Sequence, residues 1–116
     1  MIYVIDDDLV MRECIKRACG GAEVIGFSNA IDAMAEIENS GVPDLIFLDI
    51  LLTGPDGFTF LNELMSYDDT AKIPIVVVSS LELEQYNLAE YGVVGILNKE
   101  KMEPREILGY VREYCK

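Results

Sequence analysis

Apolar and polar positions along the chain fall into two alternating kinds of stretch. Short, nearly unbroken apolar runs occur at Met1 to Ile5, Ala22 to Phe27, Leu45 to Leu48, Ile73 to Val78 and Val94 to Leu97. Each has the length of a strand and is rich in β-branched residues, and continuous apolarity means cover on both faces. Between them the apolar residues recur at helical spacing. Leu9 to Cys19 turns Val10, Met11, Cys14, Ile15 and Ala18 to one side and stops at Gly20-Gly21. A second helix, capped by Ser28 or Asn29, buries Ala30, Ala33, Met34 and Ile37 and ends at Gly41 and Pro43. A third carries Phe58, Leu61, Leu64 and Met65 and gives out in the polar SYDDTAK stretch. A fourth is expected around Glu82 to Tyr91. The last, about Glu103 to Tyr114, turns Ile107, Leu108 and Val111 inward, with Pro104 in its first turn.

Strand and helix thus alternate five times, which predicts an α/β domain over residues 1–116 with a parallel sheet between helical layers. Right-handed crossovers bring all the strand ends to one edge. Asp6, Asp7 and Asp8, then Asp49, Ser79 and Lys99, would meet there although they are distant in sequence. Asp49 draws attention first, because it closes a buried apolar run just before the loop Thr53-Gly54-Pro55-Asp56-Gly57. A carboxylate at that place needs cations or hydrogen-bond donors to offset its desolvation.

Composition narrows the chemistry. The chain has 116 residues, and its net charge of −12 repels polyanions, which argues against direct nucleic-acid binding. There is no histidine, so imidazole ligands and histidine bases are excluded. Cys14, Cys19 and Cys115 lack metal-site spacing and are expected to be reduced thiols in a cytoplasmic protein. Met1 runs almost directly into a strand, without a signal-peptide pattern, and no apolar run approaches a membrane span.

Carboxylates crowded at neighbouring strand ends repel one another, and a hard divalent cation with oxygen ligands relieves that repulsion. With Lys99 as a point charge and Ser79 as a hydroxyl, the set suits tetrahedral oxyanion chemistry at Asp49, including attack by the carboxylate on phosphorus. Simpler roles remain open for each residue. Asp8 reads as solvated charge, Ser79 as a helix cap, Lys99 as a surface lysine and Asp56 as a turn residue.

The order and spacing of IDDD (5 to 8), FLDILLTGPDG (47 to 57), VVVSS (76 to 80) and GVVGILNK (92 to 99) resemble the receiver domain of two-component response regulators. The resemblance runs the length of the chain. It implies a doubly wound, flavodoxin-like (βα)5 fold whose five-stranded parallel sheet has the order 2-1-3-4-5. It further implies Asp49 as phosphoryl acceptor, with Mg2+ held directly by Asp7, largely through water by Asp6, and also by Asp49 and the backbone carbonyl of Leu51. Lys99 would pair with the phosphoryl group, and Ser79 would turn toward it as the switch. The implied partners are a histidine kinase or phosphotransfer protein, and a downstream protein target or a covalently linked output domain. Tyr86, Leu88, Tyr91, Ile96, Tyr110 and Tyr114 fall near the fourth helix, fifth strand and fifth helix; they either pack between helices or mark the partner-binding or homodimer face that the resemblance implies on that side.

The chain departs from the family pattern in places. Ile96 stands where an aromatic is usual, Thr53 where proline is common, and Glu100 where a proline follows the lysine through a cis bond. Without proline a cis bond costs about 3 to 4 kcal/mol, so a trans Lys99–Glu100 bond is expected, with Lys101 as the alternative cation. Leu51 and Leu81 stand where side chains influence water at the phosphoryl group, and both are apolar, which predicts a long-lived phosphorylated form. Two other classes compete. One is a binding module of the same fold without phosphorylation control. The other is a small enzyme, but a haloacid-dehalogenase-type phosphatase needs a second acid where Leu51 stands, and neither a flavodoxin phosphate loop nor a P-loop is present.

Overall fold

A computed structural model of the chain describes residues 1–51, 57–80 and 88–115. Its strands are β1 (Ile2–Ile5), β2 (Val24–Phe27), β3 (Leu45–Asp49), β4 (Ile75–Ser79) and β5 (Val93–Asn98). They form one parallel sheet, as the sequence pattern predicts, in the order β2-β1-β3-β4-β5 that the family resemblance implies. The helices are α1 (Leu9–Ala18), α2 (Ala30–Ser40), α3 (Gly57–Met65) and α4 (Pro104–Tyr114), with a 3-10 turn at Leu88–Tyr91. Of the helix expected around Glu82 to Tyr91, residues 82–87 lie outside the described residues.

Alternation along the three inner strands divides the core in two. Tyr3, Ile5, Ile46, Leu48, Ile75 and Val77 face α2 and α3, while Ile2, Val4, Leu45, Phe47, Val76 and Val78 face α1 and α4. All of these side chains are at most 1% exposed. At about 1.5 to 3 kcal/mol for each large apolar side chain buried, β1, β3 and β4 form the most strongly held part of the molecule. Their ends are therefore a rigid platform.

Periodicity placed the helices but mistook which ridge some of them bury. In α1 only Ile15 is fully buried, with Met11, Ala18 and the C-cap Cys19 beside it. Val10 is 76% exposed and Cys14 also faces water. Positions 10 and 14 form the ridge next to 11, 15 and 18, and contact with the sheet and α4 selects the second ridge over the first. In α3 the buried side is Gly57, Phe60, Leu61 and Leu64; Phe58 is half-buried and Met65 exposed. Leu108 on α4 is likewise only half-buried.

The caps are polar side chains. Asn29 Oδ1 accepts from the Asp32 amide at 2.8 Å, and Asp8 Oδ1 accepts from the Val10 amide at 2.9 Å. Asp8 is therefore the N-cap of α1 rather than only a solvated charge.

The three thiols are free. Burial pushes the Cys19 thiol up to about 11, and its Sγ donates to the Ile15 carbonyl at 3.3 Å. Alkylation requires an accessible thiolate. Iodoacetamide should therefore modify Cys14 in the folded protein and Cys19 only after unfolding in urea; peptide mass mapping that finds equal rates would contradict this packing.

Candidate functional site

Register brings the polar residues together. Ile5 pairs with Leu48, so Asp6 leaves β1 beside Asp49 at the end of β3. Asp49 in turn pairs with Val78, and Ser79 with Asn98. An irregularity contributes to the last match: Ile75 pairs with Val93 but Val76 with Gly95, so β5 carries one extra residue, Val94. Without it, Lys99 would stand one residue farther along the edge than it does. The Lys99 amide donates to the Ser79 carbonyl at 3.0 Å, continuing the ladder past the end of the strands.

Three of the acids form one cluster. Asp6, Asp7 and Asp49 each bring a carboxylate oxygen to within 4.8 Å of the others. Asp6 is 1% and Asp49 5% exposed, whereas Asp7 faces solvent. Asp49 Oδ1 accepts from the Leu51 amide at 3.0 Å, and its Oδ2 accepts from Lys99 Nζ at 3.0 Å. Asp6 Oδ1 accepts from the Asp8 amide at 2.9 Å. Asp6 Oδ2 lies 3.0 Å from Lys99 Nζ, so one ammonium is shared between two buried carboxylates.

The charges are unbalanced as a result. Burial pushes the Asp6 carboxyl above its ordinary 3.8, aided by the charge of Asp49, while the Asp8 amide and Lys99 pull the other way. For Lys99, burial lowers the ammonium, but Asp6 and Asp49 outweigh it and the net direction is upward from 10.5. The lysine stays charged at neutral pH, one cation set against three carboxylates.

Lys99 reaches this position without a cis bond; no cis peptide occurs among the described residues. The turn is made instead by Asn98. Its Oδ1 accepts from the Glu100 amide at 2.8 Å and the Lys101 amide at 3.2 Å, and its carbonyl accepts from the Met102 amide at 2.8 Å. Asparagine offers its side chain as a substitute backbone acceptor, and the sequence signal for it is an Asn closing a strand. Asn98→Ala should lower stability by about 1 kcal/mol, measured as a lower urea midpoint; a midpoint equal to native would contradict this role. Lys101 is exposed and has no ion pair to the cluster.

Ser79 is 1% exposed at the end of β4. Leu51 follows Asp49 by two residues, with its side chain 51% exposed. Leu81, Tyr86, Thr53 and Asp56 lie outside the described residues. The expected aromatic face is only partly open. Leu88 belongs to the core at 3% exposure, and Tyr91, Tyr110 and Tyr114 are half-buried, leaving Ile96 exposed at 44%. Tyr110 is held where Gly95 has no side chain; a Cβ there would collide with its hydroxyl.

A family model described as the response regulator receiver domain matches residues 2–112. The chain belongs to that family. It is a receiver domain, the phospho-accepting switch module of two-component signalling. Among solved structures, the receiver domain of NtrX from Brucella abortus superposes with a TM-score of 0.84 at 23% identity, covering 98% of this chain and 97% of that one. The Mn(2+)-bound form of response regulator Rcp1 gives a TM-score of 0.79 at 25% identity, covering 95% and 90%. Among curated relatives, a protein-glutamate methylesterase/protein-glutamine glutaminase of Anaeromyxobacter dehalogenans is 33% identical over 114 residues, 92% of this chain and 31% of the relative. The receiver spans about a third of the length of the curated relatives it matches.

The residues present fit a divalent cation. Asp6, Asp7 and Asp49 offer hard carboxylate oxygens within 4.8 Å of one another, more negative charge than the Lys99 ammonium balances. Among the described residues no helix is long and apolar enough to cross a membrane.

Proposed function

We propose that Asp49 accepts a phosphoryl group from a histidine of a partner kinase or phosphotransfer protein, and that the change is passed on through protein contacts. The observation that carries this is the joint of Asp6, Asp7, Asp49 and Lys99 at one sheet edge. An oxygen of the Asp49 carboxylate forms the new O–P bond as the N–P bond of the donor breaks, and the electron pair returns to the imidazole. A donor histidine on a partner is consistent with the absence of histidine from these 116 residues.

Asp6, Asp7, Asp49 and the Leu51 carbonyl would hold Mg2+. When bound, the ion neutralises charge that builds on the phosphoryl oxygens. Lys99 stands 3.0 Å from Asp49 Oδ2 and serves the same oxygens from the protein side. Ser79, next to the ladder bond that ties it to Lys99, is the hydroxyl that senses the phosphoryl group. The readout is a downstream protein target or a linked output domain, in the cytoplasm, with a homodimer through the side that carries β5 and α4 as one form of it.

Incubation with acetyl phosphate and Mg2+ should add the mass of one phosphoryl group, and chelation with EDTA should prevent it. An unchanged mass under both conditions would overturn the proposal and favour a binding module of the same fold. Cation binding should also depend on pH. Asp6 must lose its proton to act as a ligand, and its pKa lies above 3.8. Mn2+ should therefore begin to leave on acidification at a pH above that value, as an electron paramagnetic resonance titration would record.

A further inference from the structure

Beyond the carboxylates and Lys99, one more charged side chain reaches the acidic loop. Arg12 lies on α1, half-buried, and its Nη1 donates to the backbone carbonyl of Asp6 at 2.6 Å. Its own amide donates to the Asp8 carbonyl at 3.0 Å, the first ladder bond of α1. The need for the contact follows from the sheet. The Asp6 amide makes a ladder bond to the Phe27 carbonyl, and beyond it the chain leaves β1 for the loop, where Arg12 supplies the donor for the Asp6 carbonyl.

We propose that Arg12 is a positioning residue for the cation site and that Gly26 is the gap its side chain needs. The inference rests on the assignment of Asp6 and Asp7 as cation ligands. The peptide between these two residues is planar, so holding the Asp6 carbonyl orients the bond that carries Asp7. Asp6 is then fixed twice, by Arg12 at its carbonyl and by the Asp8 amide at its carboxylate. The path of Arg12 crosses Gly26 on β2. A Cβ at position 26 would lie 3.3 Å from Arg12 Cδ and 3.5 Å from Nε, and the branches of a larger side chain would take the space itself.

The test is a Mn2+ titration, read by electron paramagnetic resonance, on the native chain, Arg12→Met, Arg12→Lys, Gly26→Val and the double variant Arg12→Met with Gly26→Val. Loss of a group that orients metal ligands costs about 10- to 100-fold in affinity, and Arg12→Met should fall in that range. Arg12→Lys should recover part of it, because an ammonium can still donate to a carbonyl. Valine suits a strand, so Gly26→Val should keep β2 while displacing Arg12 and giving the same loss. The double variant should then bind no more weakly than Arg12→Met alone, since both changes remove one contact. With acetyl phosphate, the Mg2+ concentration for half-maximal rate should rise much more than the rate at saturating Mg2+ falls.

Native affinity in Arg12→Met, or losses that multiply in the double variant, would overturn the inference. Should Arg12→Met fail to fold, Gly26→Val alone decides by the same titration. If the native chain itself takes up no Mn2+, the cation assignment and this inference fall together. If native binds and Arg12→Met binds equally, only the role of Arg12 falls.

Discussion

Asp49→Asn is expected to abolish phosphoryl uptake from acetyl phosphate while leaving the sheet intact. An amide is not a nucleophile toward phosphorus, so intact-protein mass spectrometry should show no added phosphoryl group. The substitution is nearly isosteric at a position 5% exposed, so no cavity forms. Its carbonyl oxygen can still accept from the Leu51 amide, which Asp49 Oδ1 now does at 3.0 Å. Two opposing electrostatic effects disappear together: repulsion from Asp6 and the ion pair with Lys99. Lys99 keeps Asp6 as a partner at 3.0 Å, so the net change in stability should stay within about 1 kcal/mol. The Asp6 carboxyl, raised in part by the charge of Asp49, should move back toward 3.8. Uptake that persists in this variant would assign the acceptor to another residue.

Gly57→Ala should cost more stability than any other single methyl group near the site. A Cβ at position 57 would lie 2.6 Å from the Ile50 Cα, 2.8 Å from the Ile50 carbonyl oxygen and 3.0 Å from that of Asp49. These are backbone atoms, held by the Gly57 amide bond to the Ile50 carbonyl at 3.0 Å, and they cannot swing aside as a side chain tip could. Alanine gains at most about 1 kcal/mol of helix propensity, and less at the first residue of α3 than in its interior. Overpacking against rigid backbone costs about 1 to 3 kcal/mol, so the clash wins. The expected net loss is about 2 kcal/mol, or about 8 °C in Tm at about 4 °C per kcal/mol. Because the strain falls on the two residues at and after the acceptor, phosphoryl uptake should slow as well. A Tm equal to native would mean that α3 can start farther from β3 than the structure places it.

Much of this was visible before any coordinates. The five apolar runs, the helices between them and the strand-end acids follow from local chemistry: period 2 or 3.6, turn residues, and the cost of a carboxylate after a buried strand. Asp49 was conspicuous because it ends a buried apolar run just before a Gly/Pro loop. The choice of buried ridge was harder. Val10 and Cys14 are as apolar as Met11 and Ala18, and only contact with β1 and α4 distinguishes them. Phe60 was missed for the same reason, since the rotation of α3 depends on how closely Gly57 approaches Ile50.

By itself the sequence determined the class of fold, the order of its elements and the stock of acids, lysine and hydroxyl at the strand ends, because hydrophobic period and turn chemistry act over a few residues. Tertiary structure alone decided how those groups meet. The extra residue at Val94 pairs Asn98 with Ser79 and so brings the Lys99 amide to the Ser79 carbonyl, and Arg12 crosses Gly26 to hold Asp6. Register and side-chain course are set by packing between segments far apart in the chain, and no local pattern encodes them.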